Sequence, residues 1–321
     1  MVRYRIDGSC VATEVPLEGV PRAGPGAPDW EVRIERGAPE GGWPATMRVT
    51  GSCRGRGGVW AEFARNDVSR AVVVRNWFRL IADPAQGVAV VRHAHRRSDD
   101  ALVLRRVLPY LSALRGRLVL HAACVVLPAG AVVFCADART GKSTRALGLD
   151  AAGYPVLGDD HVCLDVAGGA SLLAHASLPW VEVSARSVRA LRPDVPPQRG
   201  EGPPIDLRTP RPARGVPVVG LVLLRRGRGL HRRRISGATF LPQLLRRYAF
   251  VGDPTDPAET SARFDAALRL VSRVPCTSLT VPAGLSRLNK SLARIGAWWG
   301  VQSTGGTSHI PAGGYTPTPG A

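Results

Sequence analysis

A nine-residue run from Ala136 to Thr144 constrains the fold of this chain more than any other segment. It follows residues 131–135, a short apolar run rich in β-branched side chains that is typical of a buried strand. It leads into residues 143–149, whose composition favours the start of a helix. The sequence therefore predicts a strand, a tight loop and a helix in direct succession.

This run follows the phosphate-binding pattern G-x-x-x-x-G-K-[ST], with alanine in place of the first glycine. The residues expected to bind the phosphates are Ala136, Asp137, Ala138, Arg139, Thr140, Gly141, Lys142, Ser143 and Thr144. In such a loop, backbone N–H groups and the N-terminus of the helix attract anions. The pattern then predicts that Lys142 reaches the β- and γ-phosphates and that the Ser143 hydroxyl binds Mg²⁺.

The alternative is an ordinary turn in which Gly-Lys-Ser occurs by chance. Lysine occupies only two of the 43 basic positions of the chain, Lys142 and Lys290, and arginine fills the others. A lysine at this place in the loop therefore points to a local requirement. Ala136 weakens the pattern, because alanine resists a positive φ and adds a methyl group near the phosphates.

Two adjacent carboxylates, Asp159 and Asp160, interrupt two apolar runs shortly after the predicted helix. Like charges this close are unfavourable unless a cation neutralises them or one carboxyl holds a proton, so a metal or proton-transfer role is the natural explanation. A solvated turn at Gly158 is the alternative. Their position after a strand, loop and helix favours the first explanation, because a nucleotide-bound metal needs acidic groups there.

His121 is a third candidate, in an apolar strand predicted at 118–127 that a Pro-Ala-Gly turn at 128–130 joins to the strand before the loop. A lone histidine in such a segment is most often a core or edge residue. The hairpin, however, would place this segment beside the strand that carries the loop. His121 could therefore lie near the phosphates or the carboxylate pair.

Together these features resemble the catalytic domain of the HPr serine kinase/phosphorylase family and of its shorter relatives in bacterial peptide-modification pathways. The resemblance lies in Leu-His-Ala at 120–122, the turn at 128–130, the loop with Asp137, and Ala-Gly-Tyr-Pro-Val-Leu-Gly-Asp-Asp at 152–160. It is close over 115–170 and looser to about residue 285. It implies an α/β fold: a P-loop-containing, mixed-sheet domain of the HPr-kinase/PEP-carboxykinase type. The loop departs from the family at three positions: Ala136 and Ala138 stand where glycine and a small polar residue are usual, and Arg139 stands where the family usually has a second glycine.

The resemblance also implies roles for the site residues. The catalytic group would comprise Asp159, Asp160, His121 and Lys142, with ATP and Mg²⁺ as cofactors. Ser143 and Asp160 would hold the metal, and Asp159, helped by His121, would accept the proton of the attacking hydroxyl. The roles of the two aspartates can be interchanged without changing the pattern.

These observations predict an ATP-dependent kinase that transfers the γ-phosphoryl group to a serine hydroxyl of a peptide or small protein. One alternative keeps the site but changes the acceptor to a small metabolite. Another is a nucleotide- or peptide-binding protein that has lost its chemistry through the altered loop. The outcome depends on whether Ala136, Ala138 and Arg139 still allow a phosphate cradle.

The rest of the chain suggests three parts. Residues 1–99 are interpreted as a β-rich accessory module, an antiparallel meander with strands at 30–36, 59–64, 71–81 and 87–91. Residues 100–302 form the kinase-like domain. It begins with a helix at 100–114 that Pro109 interrupts or kinks, and it continues with strands at 216–224 and 277–281 and helices at 240–250 and 262–274. Residues 303–321 carry little apolar surface and are expected to be a disordered tail.

Composition limits the partners. The net charge of +18 favours an acidic partner such as an acidic peptide. The sequence shows no helix-turn-helix, zinc finger or interleaving of basic and aromatic residues, so nucleic acid is not expected.

The six cysteines are scattered without a C-x-x-C pair, which favours reduced thiols. No signal peptide or membrane span stands out, so a cytoplasmic location is expected. The oligomeric state is left open.

Overall fold

A computed structural model describes residues 1–55, 58–167, 171–196, 204–247, 253, 256–285 and 287–299. The tail predicted at 303–321 lies outside the described residues. Within them the chain forms a mixed α/β structure, as the sequence predicts, with two large sheets and a small two-stranded one.

The first sheet contains eight strands in the order β1-β2-β3-β8-β7-β6-β5-β4. These are β1 (Val2–Ile6), β2 (Ser9–Thr13), β3 (Trp30–Arg36), β4 (Arg48–Gly55), β5 (Gly58–Arg65), β6 (Arg70–Val74), β7 (Phe78–Asp83) and β8 (Val88–His93).

Two details of the predicted meander are wrong. The sheet is mixed, because β3 pairs in parallel with both β2 and β8. The long connection from β3 to β8 contains β4 to β7, which gives the chain enough length to return in the same direction. Residues 71–81 form a hairpin of β6 and β7 instead of one strand, with Asn76 in a left-handed conformation at the turn (φ 60°). Asparagine tolerates that conformation better than most residues.

The helix predicted at 100–114 is present as α1 (Asp100–Leu114), with Pro109 inside it. Its apolar face, which includes Val103, Leu104 and Leu108, packs into the same core as the inner face of the first sheet. The chain therefore enters the second sheet only after this helix. The domain boundary predicted at residue 99 stays a prediction.

The second sheet has nine strands and joins parallel and antiparallel pairs around one long central strand, β17. Its strands are β9 (Leu118–Leu120), β10 (Ala122–Leu127), β11 (Gly130–Ala136), β12 (Val156–Gly158), β13 (Val162–Asp165), β14 (Leu173–His175), β17 (Val216–Gly227), β18 (His231–Ile235) and β19 (Cys276–Pro282). The small sheet pairs β15 (Trp180–Val181) with β16 (Ile205–Asp206).

Helices cover both faces of the second sheet. They are α2 (Lys142–Ala151), α3 (Ala185–Leu191), α4 (Gly237–Arg247), α5 (Pro257–Arg273) and α6 (Leu288–Trp298). Alternate residues of β11 enter two different cores: Val133 packs on the side of α4 and α5, and Val132 packs on the side of α2 and α6. This burial on both faces explains why β11 reads as a continuous apolar run. Residues 248–250 of the helix predicted at 240–250 lie outside the described part.

The hairpin predicted on either side of residues 128–130 is present, as β10 pairs antiparallel with β11. The predicted apolar strand at 118–127, however, is divided into β9 and β10 at His121. The neighbouring segment is also divided, into β12 and β13, at residues 159–161. Since β10 pairs with β12 and β9 pairs with β13, the two interruptions lie opposite each other.

Among the described residues, none of the helices combines the length and the apolar character needed to cross a membrane. All six cysteines are free thiols, and four of them are buried.

The Leu104→Ala substitution tests the packing of α1 on the first sheet. Leu104 is 1% exposed, and its truncation should lower the free energy of unfolding by about 2–5 kcal/mol through lost burial and a residual cavity. Leu268→Ala is the matched control, because Leu268 on α5 is 44% exposed and should change stability by only about 0.5 kcal/mol. Urea unfolding measures both, and equal losses would contradict this packing.

Candidate active site

The backbone of the loop after β11 includes two left-handed residues just before a helix. β11 ends at Ala136 and α2 begins at Lys142. Gly141 and Arg139 both adopt left-handed conformations, with φ of 93° and 62°. Successive N–H groups of such a turn, followed by the free N–H groups of a helix N-terminus, form a concavity that attracts anions. Arg139 thus adopts a left-handed backbone conformation although it carries a side chain.

Two arginines bind the carbonyl groups of this loop. The Arg145 guanidinium donates to the carbonyl oxygens of Thr140, at 3.3 Å, and Gly141, at 3.0 Å. Arg226, at the end of β17, donates to the carbonyl oxygen of Arg139. Because these carbonyls are held by protein groups, their negative ends are kept from an incoming phosphate. Burial and the nearby charge of Arg226 lower the pKa of Arg145 to about 10, so it stays cationic at neutral pH.

One cavity brings together every site residue that the sequence singled out. It is lined by Ala136, Asp137, Ala138, Arg139, Thr140, Gly141, Lys142, Ser143 and Thr144 of the loop and by His121, Asp159 and Asp160 of the two interrupted strands.

Lys142, His121 and Asp160 form a line of polar contacts along the floor of this cavity. The Lys142 ammonium lies 3.2 Å from Nε2 of His121. Nδ1 of His121 lies 3.0 Å from the backbone oxygen of Asp160 and 3.2 Å from its Oδ1. Because an ammonium only donates, Nε2 must accept, and Nδ1 therefore carries the proton and donates to Asp160. His121 thus links the lysine to the second aspartate of the pair.

Asp159 is the inner member of the pair. It is 4% exposed and lies beside Lys142 and the Ser143 hydroxyl. Its burial raises the pKa of the carboxyl group, although Lys142 and Ser143 oppose the shift. Among the described residues, Oδ1 of Asp159 is buried without a hydrogen-bond partner. A buried carboxylate oxygen that has no hydrogen-bond partner and lies near a hydroxyl can serve as a ligand for a hard cation such as Mg²⁺.

Asp160 is the outer member, with about a third of its side chain exposed. Its left-handed backbone (φ 73°) turns the chain between β12 and β13. Burial alone would raise the pKa of this carboxyl group, but the hydrogen bond from His121 and the charges of Arg106 and Arg105 hold it well below its ordinary value. Asp160 is therefore an anion throughout the physiological range.

Gly158 allows this turn to close. A Cβ at that position would lie 2.6 Å from the carbonyl oxygen of His161. Such an approach is closer than carbon and oxygen tolerate, so any larger residue would displace the aspartate pair. The glycine of the Gly-Asp-Asp sequence is thus needed for packing.

Three residues around the aspartate pair were not found by sequence reasoning. Arg105 and Arg106 lie on α1, and Glu182 follows β15. Arg105 is 2% exposed and donates to Glu182 at 2.6 Å, while Arg106 lies 3.2 Å from Asp160. Because the chain contains so many arginines, the sequence gives no reason to single out Arg105 or Arg106 as site residues. Only the packing of α1 beside the interrupted strands brings them to the aspartates.

Comparisons with known proteins add a distant structural likeness. No family model matches the sequence, and no curated protein sequence matches it. Among solved structures, the Hpr(Ser) kinase/phosphatase from Coxiella burnetii is similar at 12% identity and a TM-score of 0.29. The match covers 56% of this chain and 90% of that chain. At these values the likeness says nothing about the activity of this chain.

The Asp160→Asn substitution tests the electrostatic arrangement of the pair. A carboxyl group whose folded pKa is lowered stabilises the native state above its unfolded pKa and loses this contribution as the pH falls towards the folded value. The variant should therefore unfold more easily than the wild type at pH 7, by about 1–3 kcal/mol. The difference should shrink below about pH 4, where unfolded carboxyl groups take up protons. Urea unfolding across this range measures it, and a difference that does not depend on pH would contradict the assignment.

Proposed function

We propose that this chain is an ATP-dependent, Mg²⁺-requiring kinase that transfers the γ-phosphoryl group to a serine hydroxyl of a peptide or small protein. The observation that carries the proposal is a single cavity in which Lys142, at the start of α2, faces the Asp159 and Asp160 pair. Phosphoryl transfer depends mainly on positioning and on neutralisation of charge, and this arrangement of cations, amides and carboxylates suits both needs.

The loop would hold the phosphates of ATP. Lys142 supplies a cation at the N-terminus of α2, where the amide groups of the first helical turn also attract anions. Arg139 and Arg226 line the same cavity and add positive charge at its rim. The arginine that replaces a glycine in the loop thus becomes a further phosphate contact in this proposal.

Ser143 and Asp159 would hold Mg²⁺. The unpartnered, buried Oδ1 of Asp159 and the adjacent hydroxyl offer two hard oxygen donors. When bound, Mg²⁺ neutralises charge on the phosphates. The position of Asp159 next to Ser143 favours it as the metal ligand, which is the reverse of the order that the resemblance first suggested.

Asp160 would accept the proton of the attacking hydroxyl. It is the more exposed carboxylate, and the His121 proton on Nδ1 fixes its orientation. The acceptor oxygen forms a bond to the γ-phosphorus, the bond from that phosphorus to the β–γ bridging oxygen breaks, and the hydroxyl proton passes to Asp160. A carboxylate with a low pKa is sufficient, because the transition state of phosphoryl transfer is loose and little charge develops on the attacking oxygen.

Positive charge around Asp160 favours an acidic acceptor. Arg106 lies 3.2 Å from the Asp160 carboxylate, Arg186 lines the same cavity as that carboxylate, and the chain carries a net charge of +18. A positive rim raises the local concentration of acidic segments and speeds their association. A serine with acidic neighbours is therefore the acceptor class that we propose.

The first experiment compares Lys142→Ala with Lys290→Ala. The two residues are the only lysines of the chain, and Lys290 is an exposed residue of α6. Removal of the Lys142 ammonium should weaken Mg-ATP binding by about 10–100-fold, as expected for a charged hydrogen bond, and the Lys290 variant should bind like the wild type. Calorimetric titration gives both values. Wild-type protein that does not bind Mg-ATP, with or without an acidic serine peptide, would refute the proposal.

The aspartate roles can be separated by two isosteric variants. Asp159→Asn should weaken the dependence of ATP binding on Mg²⁺, because one metal ligand is lost. Asp160→Asn should keep Mg-ATP binding and lower turnover by about 100- to 10,000-fold, the range for removal of a general base. Phosphate transfer from labelled ATP to an arrayed library of acidic serine peptides supplies the readout. If both variants transferred phosphate at the wild-type rate, neither aspartate would be catalytic.

A further inference from the structure

A second cluster of titratable groups lies behind the aspartate pair, outside the cavity just described. Asp7 comes from the turn between β1 and β2, His161 directly follows Asp160, and Cys163 lies in β13. One ligand atom from each of these three side chains falls within 4.8 Å of the others. All three residues are buried, with exposed fractions of 1%, 5% and 0%.

The geometry of this cluster leaves a carboxylate oxygen without a partner. Nε2 of His161 lies 3.4 Å from Oδ2 of Asp7 and 2.7 Å from the Ser177 hydroxyl. The Ser112 hydroxyl donates to the same Oδ2 at 3.4 Å. Oδ1 of Asp7 is buried and has no hydrogen-bond partner among the described residues. A buried carboxylate oxygen in this state costs free energy unless a cation or a donor reaches it.

We propose that Asp7, His161 and Cys163 form a structural zinc site. Carboxylate oxygen, imidazole nitrogen and thiolate sulfur are the three types of protein ligand that Zn²⁺ binds. The charges of one Zn²⁺, one carboxylate, one thiolate and a neutral imidazole also sum to zero. The buried site would therefore carry no net charge. The proposal does not depend on the kinase function proposed above.

The side chains need to move little to bind the ion. In a tetrahedral zinc site the ligand atoms are about 3.5 Å apart, given metal–ligand distances of about 2.0–2.3 Å. The distance of 3.4 Å between Oδ2 of Asp7 and Nε2 of His161 is already close to this value.

Binding requires the thiolate form of Cys163. Burial and the neighbouring Asp7 carboxylate raise the pKa of this thiol well above its ordinary value. The bond between zinc and sulfur therefore forms as the thiol proton is released to solvent. Since the three ligands are enclosed, the ion would enter while the chain folds.

The zinc site would fix one part of the first sheet to the turn that carries the aspartates. Asp7 has a left-handed backbone (φ 52°), an uncommon conformation for a residue other than glycine. Its side chain contacts Ser112 of α1 and His161 of the turn between β12 and β13. A bond to zinc would hold Asp7 and His161 together and thereby hold the position of Asp160.

The test is the metal content of the full-length protein. The wild type is unfolded, refolded with Zn²⁺ and dialysed, and its metal is counted by inductively coupled plasma mass spectrometry. We expect about one zinc per chain. X-ray absorption of the zinc protein should show one sulfur at about 2.3 Å and nitrogen or oxygen ligands at about 2.0 Å. The cobalt-substituted protein should show a thiolate-to-metal charge-transfer band.

Variants locate the ion. Cys163→Ser and Asp7→Asn should lose most of the bound zinc, and Cys163→Ser should lose the charge-transfer band. Cys124→Ser is the matched control, because Cys124 is also a buried strand cysteine but is not in the cluster, and it should keep both. The proposal is overturned if the refolded wild type holds no zinc, or if its zinc shows no sulfur ligand. These two results do not require any variant to fold. Zinc retained in a folded Cys163→Ser protein would also overturn it.

Discussion

The paired interruption of two neighbouring strand segments is the constraint on which the site depends. The chain leaves regular strand geometry at His121 and, opposite it, at residues 159–161. A continuous ladder would have directed these side chains into the two faces of the sheet in alternation. The breaks instead let the imidazole of His121 contact both Lys142 and Asp160. The loop and the aspartates, which are far apart in the chain, thus become one polar network.

This network gives the two aspartates different electrostatic environments. The pKa of Asp159 is raised by burial, with Lys142 opposing the shift, whereas the pKa of Asp160 is lowered by His121, Arg106 and Arg105 against the effect of burial. Adjacent carboxyl groups separated in this way can perform different tasks in one reaction. The separation arises from what packs around each residue, since the two side chains are chemically identical.

The first sheet contributes to the site through α1, which joins the two sheets. The apolar side of this helix is fixed in the core of the first sheet, while Arg105 and Arg106 on another side reach the aspartate turn. The Arg106 guanidinium also lies over the ring of Trp77, 5.4 Å from its centre, in the hairpin between β6 and β7. The cluster of Asp7 with His161 provides a second connection. Changes in the packing of the first sheet should therefore alter the position and the charged surroundings of Asp160.

The sequence by itself determined the local elements of this protein. The apolar run before Ala136, the loop to Thr144 and the helix from Lys142 are local, because strand propensity, turn chemistry and helix spacing act over a few residues. It also indicated the loop residues, His121 and the two aspartates, which line one cavity. Only the tertiary structure decided that β3 runs parallel to β8, that His121 pairs with Asp160 and that Arg106 completes the site. Those contacts join segments that are distant in the chain. The packing of the two sheets and α1 brings these segments together, and no short sequence pattern encodes that packing.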